Sequence, residues 1–167
     1  MKGKWTSPIV LAALIASVLM LRGQGHPDQV PPLTVALLDG QHLDLGSADG
    51  RVRLVEFWST SCAPCIRGMP RLAETHRKFA ARGFEVVAVA MPYDAPEHVG
   101  AFARRENLPF RVGFDPSGAI GQGFGGVNAT PTSYLIDRDG RIVKRYIGIP
   151  DHRALDQRIE QMLTQSS

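Results

Sequence analysis

Apolar residues along the chain follow two different spacings, and their alternation predicts both strands and helices. The run at 84–91 is apolar except for Glu85 and rich in β-branched residues, which predicts a central strand covered on both faces. Asp-Gly pairs at 39–40 and 139–140 predict two hairpin turns. The predicted elements are hairpin strands at 33–37 and 41–45, a strand at 51–58, a helix at 64–82, a strand at 84–91, a helix at 95–107, a strand at 111–114, a short helix at 117–124, hairpin strands at 132–137 and 141–147, and a final helix capped by Asp151.

The order of these elements predicts the type of sheet. A helix between two strands makes a crossover connection. The early strands should therefore be parallel neighbours in the sheet. The late hairpin adds antiparallel strands at one edge. We therefore expect an α/β fold with a mixed central sheet that is flanked by helices on both faces.

The first 22 residues have the pattern of a membrane-targeting segment. Lys2 and Lys4 precede an uncharged run at 5–21, which Arg22 closes. This pattern predicts a signal anchor with one transmembrane helix, or a signal peptide, at 1–22. The lack of a small-x-small cleavage site favours the anchor, and the lysines place its start inside the cell. We expect a linker at 23–32 and an exported folded domain at 33–167.

Composition and charge narrow the possible partners. The 167 residues are 44% hydrophobic and 21% charged, which is typical of one globular domain with a short extension. The net charge of +3 comes wholly from Lys2, Lys4 and Arg22, because residues 26–167 carry equal numbers of acidic and basic side chains. A neutral domain lacks the basic surface that binding to nucleic acid requires, so we exclude nucleic acid as a partner.

The only two cysteines lie together in Cys62-Ala63-Pro64-Cys65, and three explanations compete for them. A structural disulfide across so short a loop would stabilise the fold weakly. A zinc site needs about four ligands, and the histidines lack the paired spacing of such a site. A redox pair is favoured, because the motif follows a buried strand and opens a helix, whose N-terminus stabilises a thiolate. Pro64 suits the first helical turn, where its missing N–H costs nothing. We expect no metal and no cofactor.

Further motifs surround the cysteine pair. Segment 56–65 has the sequence EFWSTSCAPC and is followed by Met69-Pro70; segment 126–132 has GVNATPT and is followed by LID at 135–137. Together these motifs resemble the thioredoxin-like thiol–disulfide oxidoreductases of the TlpA/ResA type, over residues 30–163. The resemblance implies a thioredoxin-like fold with an N-terminal β-hairpin and a central βα insertion. It also implies a redox disulfide between Cys62 and Cys65.

The resemblance assigns roles to three residues of the redox centre. Cys62, nearer to solvent, would attack the disulfide of a substrate, and Cys65 would then resolve the mixed disulfide. Glu56 corresponds to a buried acid that moves the proton on and off the second thiol. By its spacing alone, Glu56 could also be an edge-strand carboxylate that faces water.

The same resemblance predicts four substrate-binding residues. Thr130 and Pro131 match a cis-proline turn that faces the cysteines and aligns the substrate backbone like an added strand. Pro64, inside the cysteine motif, completes the set with Trp58, which is expected beneath the site. A plain core position describes Trp58 equally well.

Two residues depart from the family pattern. Ser61 stands where a tryptophan commonly precedes the first cysteine, and its presence removes an aromatic surface beside Cys62. Gly68 stands three residues after Cys65, where some members carry glutamate. We therefore expect a site that is more open and less acidic than usual.

The resemblance favours an exported disulfide reductase on the periplasmic side of the bacterial inner membrane. Its expected substrates are protein disulfides, such as those of apocytochrome c or of metal-site assembly partners. A membrane electron-carrier protein of the thiol-reductase type would keep it reduced, and a monomer is expected. A disulfide oxidase or isomerase is an alternative, as is a copper-binding assembly factor, because soft thiolates favour Cu(I).

Overall fold

The computed structural model describes residues 29–164, which contain seven strands and four α-helices. In chain order these are β1 (Thr34–Leu37), β2 (His42–Asp44), β3 (Val52–Trp58), α1 (Ala63–Phe79), β4 (Phe84–Ala90), α2 (Pro96–Arg105), β5 (Arg111–Phe114), α3 (Ala119–Gly123), β6 (Thr132–Ile136), β7 (Ile142–Ile147) and α4 (His152–Thr164). Each of them lies where the sequence predicts it. The last predicted turn of α1 is a short 3₁₀ helix, which Gly83 ends with a φ of 95°.

The strands form one mixed sheet in the order β2-β1-β5-β4-β3-β6-β7. The neighbours β3 and β4 are parallel, as are β4 and β5, whereas the other pairs are antiparallel. Because α1 and α2 both cross between parallel strands in the same direction along the sheet, right-handed crossovers bring them to the same face. The thioredoxin-like α/β fold is therefore confirmed, with the N-terminal hairpin at one edge.

Strand β3 separates two apolar cores. Val52, Leu54 and Trp58 pack on the face that α1, α2 and α4 cover, whereas Val55 and Phe57 pack on the face that α3 covers. Because side chains alternate along a strand, Glu56 lies on the same face as Trp58, underneath α1. This alternation places an ionisable group inside the larger core.

The beginning of the domain differs from the prediction. Residues 29 and 30 were expected in the linker at 23–32. Instead, the backbone of Gln29 forms an antiparallel β-bridge with that of Arg141, and the amide of Val30 donates a hydrogen bond to the carbonyl of Gly140 at 3.0 Å. The side chain of Val30 is 4% exposed. Proline and glycine around this segment predicted a free linker, whereas one valine that fills the core attaches it to the sheet.

The predicted anchor at 1–22 lies outside the described residues. Within 29–164, none of the helices has the length and apolar character needed to cross a membrane.

Candidate active site

The cysteine pair lies at the N-terminus of α1, directly after β3. Cys62 caps the helix with an extended backbone, and its sulfur accepts a hydrogen bond from the amide of Cys65 at 3.2 Å. The two residues form a disulfide. Cys62 is half-buried, whereas Cys65 is 2% exposed. In the reduced protein, a thiolate on Cys62 would be accessible to solvent and would face the positive end of the helix dipole.

Asp94 fixes the loop that leads into the cysteine pair. Its carboxylate accepts hydrogen bonds from both the amide and the hydroxyl of Thr60, each at 2.6 Å, and from the amide of Ala95 at 2.9 Å. The loop from β4 to α2 is thereby attached to the loop from β3 to α1. This connection holds the position of Cys62 from outside its own helix.

The turn at Thr130 and Pro131 lies before β6, and the peptide bond between them is cis, as predicted. The carbonyl of Pro131 accepts a hydrogen bond from the amide of Gly148 at 2.8 Å. The hydroxyl of Tyr93 lies 3.3 Å from that of Thr130, and Tyr93 is 62% exposed. Because Tyr93 precedes Asp94, one loop contacts both the cis-proline turn and the loop of the cysteines.

Glu56 is a buried acid rather than an edge carboxylate. It lies within β3, between β4 and β6, and the residue is only 7% exposed. Burial raises its pKa to about 7, and the hydroxyl of Ser133, opposite it on β6, offsets part of this rise. A carboxyl group with such a pKa can take up and release a proton near neutral pH.

A small cavity beneath α1 connects Glu56 with the cis-proline turn. It is lined by Glu56, Gly68, Leu72, Pro131, Ile149, Pro150 and His152. Gly68 lies three residues after Cys65 and Leu72 four residues after Gly68, so these residues share one face of the helix. Glu56 therefore lies under the face of α1 that also carries the buried cysteine.

The structure corrects the placement of Trp58 among the substrate-binding residues. Its side chain is completely buried, and its ring packs against Phe102 with centroids 5.2 Å apart. A side chain in this position supports the site from below and offers no surface to a substrate. Pro64, by contrast, is half-buried in the first turn of α1, beside the cysteines.

Two residues of the site were not identified from the sequence. Asp94 precedes Ala95-Pro96, a pattern that indicates a helix start, but its contact with Thr60 depends on the packing of two loops. His152 follows the capping residue Asp151 and lies far from the cysteines in sequence, so no local pattern connects it with Glu56. Both are placed by tertiary structure, which spacing does not encode.

Comparisons with known proteins agree with this site. A family model described as Redoxin matches residues 26–163. The thiol-disulfide oxidoreductase ResA of Bacillus thuringiensis subsp. konkukian is 31% identical over 137 residues, which cover 80% of this chain and 76% of that protein. ResA of Bacillus anthracis is 35% identical over 123 residues, which cover 72% and 68% of the two chains.

Solved structures support the same assignment. A protein from Neisseria meningitidis described as a thioredoxin superposes with a TM-score of 0.77 at 34% identity, covering 84% of this chain and 94% of that one. A protein from Chlorobium tepidum described as thiol:disulfide interchange protein DsbE gives a TM-score of 0.75 at 30% identity, covering 84% and 99%. The chain therefore belongs to the Redoxin family and is a thiol–disulfide oxidoreductase of the ResA type.

Proposed function

We propose that this oxidoreductase acts as a disulfide reductase outside the cytoplasm, with Cys62 as the attacking thiol and Cys65 as the resolving thiol. The observation that carries this proposal is the asymmetry of the pair at the start of α1. Cys62 is partly accessible and caps the helix, while Cys65 is buried on the helix face that covers Glu56. Attack requires an accessible thiolate, and resolution requires a second thiol that can lose its proton.

The reaction sequence follows from this arrangement. The Cys62 thiolate attacks one sulfur of the substrate disulfide, so that a mixed disulfide forms and the other substrate sulfur leaves as a thiolate. The Cys65 thiol then gives its proton to the Glu56 carboxylate and attacks Cys62. The bond between Cys62 and the substrate breaks, the second substrate thiolate leaves, and the Cys62–Cys65 disulfide forms. The substrate gains two electrons, and the cysteine pair loses two.

The turn at Thr130 and Pro131 supports binding of a protein substrate. An extended peptide could pair with the backbone of this turn as an added strand, and the exposed ring of Tyr93 beside Thr130 offers an apolar contact. We infer that the substrates are protein disulfides, such as those of apocytochrome c or of metal-site assembly partners. The expected electron donor is a membrane carrier of the thiol-reductase type, to which a signal anchor at 1–22 would keep the domain close.

The decisive measurement is the reduction potential of the Cys62–Cys65 couple. Equilibration of residues 26–167 with redox buffers should give a value near that of thioredoxin, about −270 mV, or lower. Such a value would make the protein a reductant of protein disulfides. A value nearer to about −120 mV would overturn the reductase proposal and assign the pair to disulfide formation.

Trapping variants test the order of the two cysteines. Cys65→Ser should accumulate a mixed disulfide between Cys62 and a disulfide-bonded peptide that contains an apocytochrome-type cysteine pair. The matched variant Cys62→Ser should form none, because the remaining thiol is buried. Accumulation on Cys65 instead would reverse the assigned roles.

The role of Glu56 is tested in the same assay. Glu56→Gln keeps the shape of the side chain but cannot accept the proton of Cys65, so resolution of the mixed disulfide should slow by about 10²-fold. Alkylation of Cys62 should remain nearly unchanged. Equal rates of resolution in the two proteins would remove Glu56 from the mechanism.

The location of the domain needs a separate test. In spheroplasts that carry the full chain, added protease should digest residues 26–167, and a carbonate wash should leave the protein in the membrane fraction. Protection of the domain from protease would place it inside the cell and exclude export.

A further inference from the structure

His152 stands out among the half-buried histidines because its ring has no hydrogen-bond partner. Neither Nδ1 nor Nε2 is exposed to solvent, and neither makes a hydrogen bond with any part of residues 29–164. By contrast, Nδ1 of His76 accepts a hydrogen bond from the amide of Val86 at 3.3 Å. Buried polar atoms are nearly always paired, so an unpaired imidazole needs an explanation.

His152 also lies between a small internal cavity and a wide surface groove. It lines the cavity that contains Glu56, Gly68 and Pro131. It lines a wide surface groove as well, where its neighbours include Arg71, Lys78, Asp156 and Glu160. The imidazole of His152 thus lies between the cavity that contains Glu56 and the surface groove, which is open to bulk solvent.

The inner cavity is small enough to hold a single bridging molecule. The volume open to the centre of a water molecule is about 10 Å³, which is close to the minimum that one bound water requires. Carboxyl and imidazole groups on its walls are the polar partners that such a water needs. Gly68 contributes to this space because it has no side chain to fill it.

We propose that His152 is the proton-relay residue that connects Glu56 with solvent. The inference rests on the proposed role of Glu56 in resolution of the mixed disulfide. His152 does not touch the reacting sulfurs; it acts through Glu56 and controls how fast that carboxyl group returns to its charged form.

The path of the proton follows the resolution step. When Cys65 attacks Cys62, its proton is on the carboxyl group of Glu56. Glu56 gives this proton to the bridging water, which passes one of its own to a ring nitrogen of His152. The imidazolium ring then turns toward the surface groove and releases a proton to water there, so that one proton has moved from Cys65 to solvent. No electrons move in these steps.

The charged groups around His152 suit this task. Burial is the main cause of a lowered pKa of His152, and Arg71 on α1 lowers it further. Asp151 and Asp156 on either side of His152, and Glu74 on α1, act in the opposite direction. The imidazole is therefore neutral near pH 7 and able to accept a proton, while nearby carboxylates stabilise the imidazolium for the time of transfer.

The test measures resolution of the mixed disulfide in His152→Gln near pH 7 and at low buffer concentration. Under these conditions a large share of Glu56 starts protonated and must lose that proton through His152 before it can accept the proton of Cys65. The rate should fall by about tenfold, which is less than the roughly 10²–10⁴-fold effect of a group that transfers the proton directly. Added imidazole should restore the rate in proportion to its concentration, because a small base can replace the missing side chain. His98→Gln, at an exposed histidine of α2, should change neither the rate nor the response to imidazole.

A second variant tests the cavity without changing the histidine. Gly68→Leu fills the space between Glu56 and His152, so resolution should slow as in His152→Gln, but imidazole should not restore it. Thermal unfolding of each variant, followed by circular dichroism, shows that the fold is intact.

The outcomes separate this inference from the proposed function. If the wild type resolves mixed disulfides and His152→Gln does so at the same rate in low buffer, the relay is wrong while the reductase stands. A slower variant that imidazole does not restore would assign His152 a structural role only. If Glu56→Gln also resolves at the wild-type rate, the proposed role of Glu56 fails together with the relay.

Discussion

Strand β3 carries an ionisable side chain near each end, Arg53 and Glu56, and the two have opposite electrostatic surroundings. Arg53 is 1% exposed, and its guanidinium donates to Glu85 at 2.6 Å, to the carbonyl of Leu45 at 3.0 Å and to Asp49 at 2.8 Å. Glu56 lies three residues later on the opposite face of the strand, and no cation is paired with it in the described part of the chain.

The difference separates structural charges from chemically useful ones. Glu85 lies directly opposite Arg53 on β4, so each ion neutralises the charge of the other. Glu56 faces an apolar core, so its charged form is costly and its pKa lies near 7. A buried carboxyl group without a counter-ion can therefore carry a proton near neutral pH. A buried carboxyl group that is paired with a cation instead stabilises the fold.

The largest effect on stability should come from breaking the ion pair between Arg53 and Glu85. Arg53→Met leaves Glu85 buried, with Arg111 at 3.6 Å as its remaining ion-pair partner in the described residues, so the free energy of unfolding should fall by about 3–5 kcal/mol. Adding Glu85→Leu should recover most of this loss, because no uncompensated charge then remains. Urea denaturation measures both. A loss below about 1 kcal/mol in the single variant would mean that the pair behaves like an exposed one.

The cost of burying Glu56 without a counter-ion should make the stability of the protein depend on pH. Below pH 4.5 Glu56 carries a proton in both folded and unfolded states; between 4.5 and about 7 the unfolded state loses it first. Stability should therefore decline as the pH rises through this window. The rise in pKa from 4.5 to about 7 corresponds to about 3 kcal/mol.

A difference measurement isolates this effect from the other titrating groups. Glu56→Gln should match the wild type in free energy of unfolding at about pH 4 and exceed it by up to about 3 kcal/mol at about pH 8. Glu74→Gln, at an exposed carboxylate of α1, serves as the control. Parallel curves for wild type and Glu56→Gln would show that Glu56 is not buried as a neutral acid.

The two ends of β3 were not equally predictable from sequence. The strand itself, the helix after it and the cysteine motif between them follow from local patterns. The burial of Glu56 depends on β6 covering β3 on its second edge, which made the edge-strand alternative possible until the sheet order was known. The pairing of Arg53 depends on the register between β3 and β4, and no spacing within either strand specifies it.

The cavity behind the cysteines was also beyond local patterns. Gly68 could be recognised as a departure from the family, but the space that it leaves is bounded by Ile149 and His152, which come from the last part of the chain. Contacts between α1 and α4 depend on how two amphipathic helices pack on one sheet face. The sequence predicts that both faces are buried and does not specify which residues meet.

A third carboxylate, Asp94, gives an intermediate case because its partners are N–H and O–H donors rather than a cation. Asp94→Ala should lower the free energy of unfolding by about 1–2 kcal/mol, since Thr60 and Ala95 lose their acceptor. Hydrogen exchange at the amide of Thr60 should become faster. Asp94→Asn keeps one oxygen acceptor and should lose less. Unchanged exchange in Asp94→Ala would show that other contacts hold the loop.

The smallest effect should come from Gly68→Ala, which narrows the space beside the unpaired acid. The added methyl group would lie 3.7 Å from Cγ1 of Ile149, an ordinary contact, so the helix should gain about 0.5–1 kcal/mol in stability. Gly100→Ala in α2 is the matched control, because its methyl group would meet only the flexible end of Arg104 at 3.2 Å.

The two glycine variants should differ at Glu56. Only Gly68→Ala removes solvent-accessible space next to that carboxyl group, so only this variant should raise its pKa above about 7, as seen by carboxyl NMR of the oxidised protein. The pH window of declining stability should then extend upwards in Gly68→Ala alone. An identical pKa in both variants would show that the cavity does not contribute to the solvation of Glu56, and that the surrounding core alone sets its proton affinity.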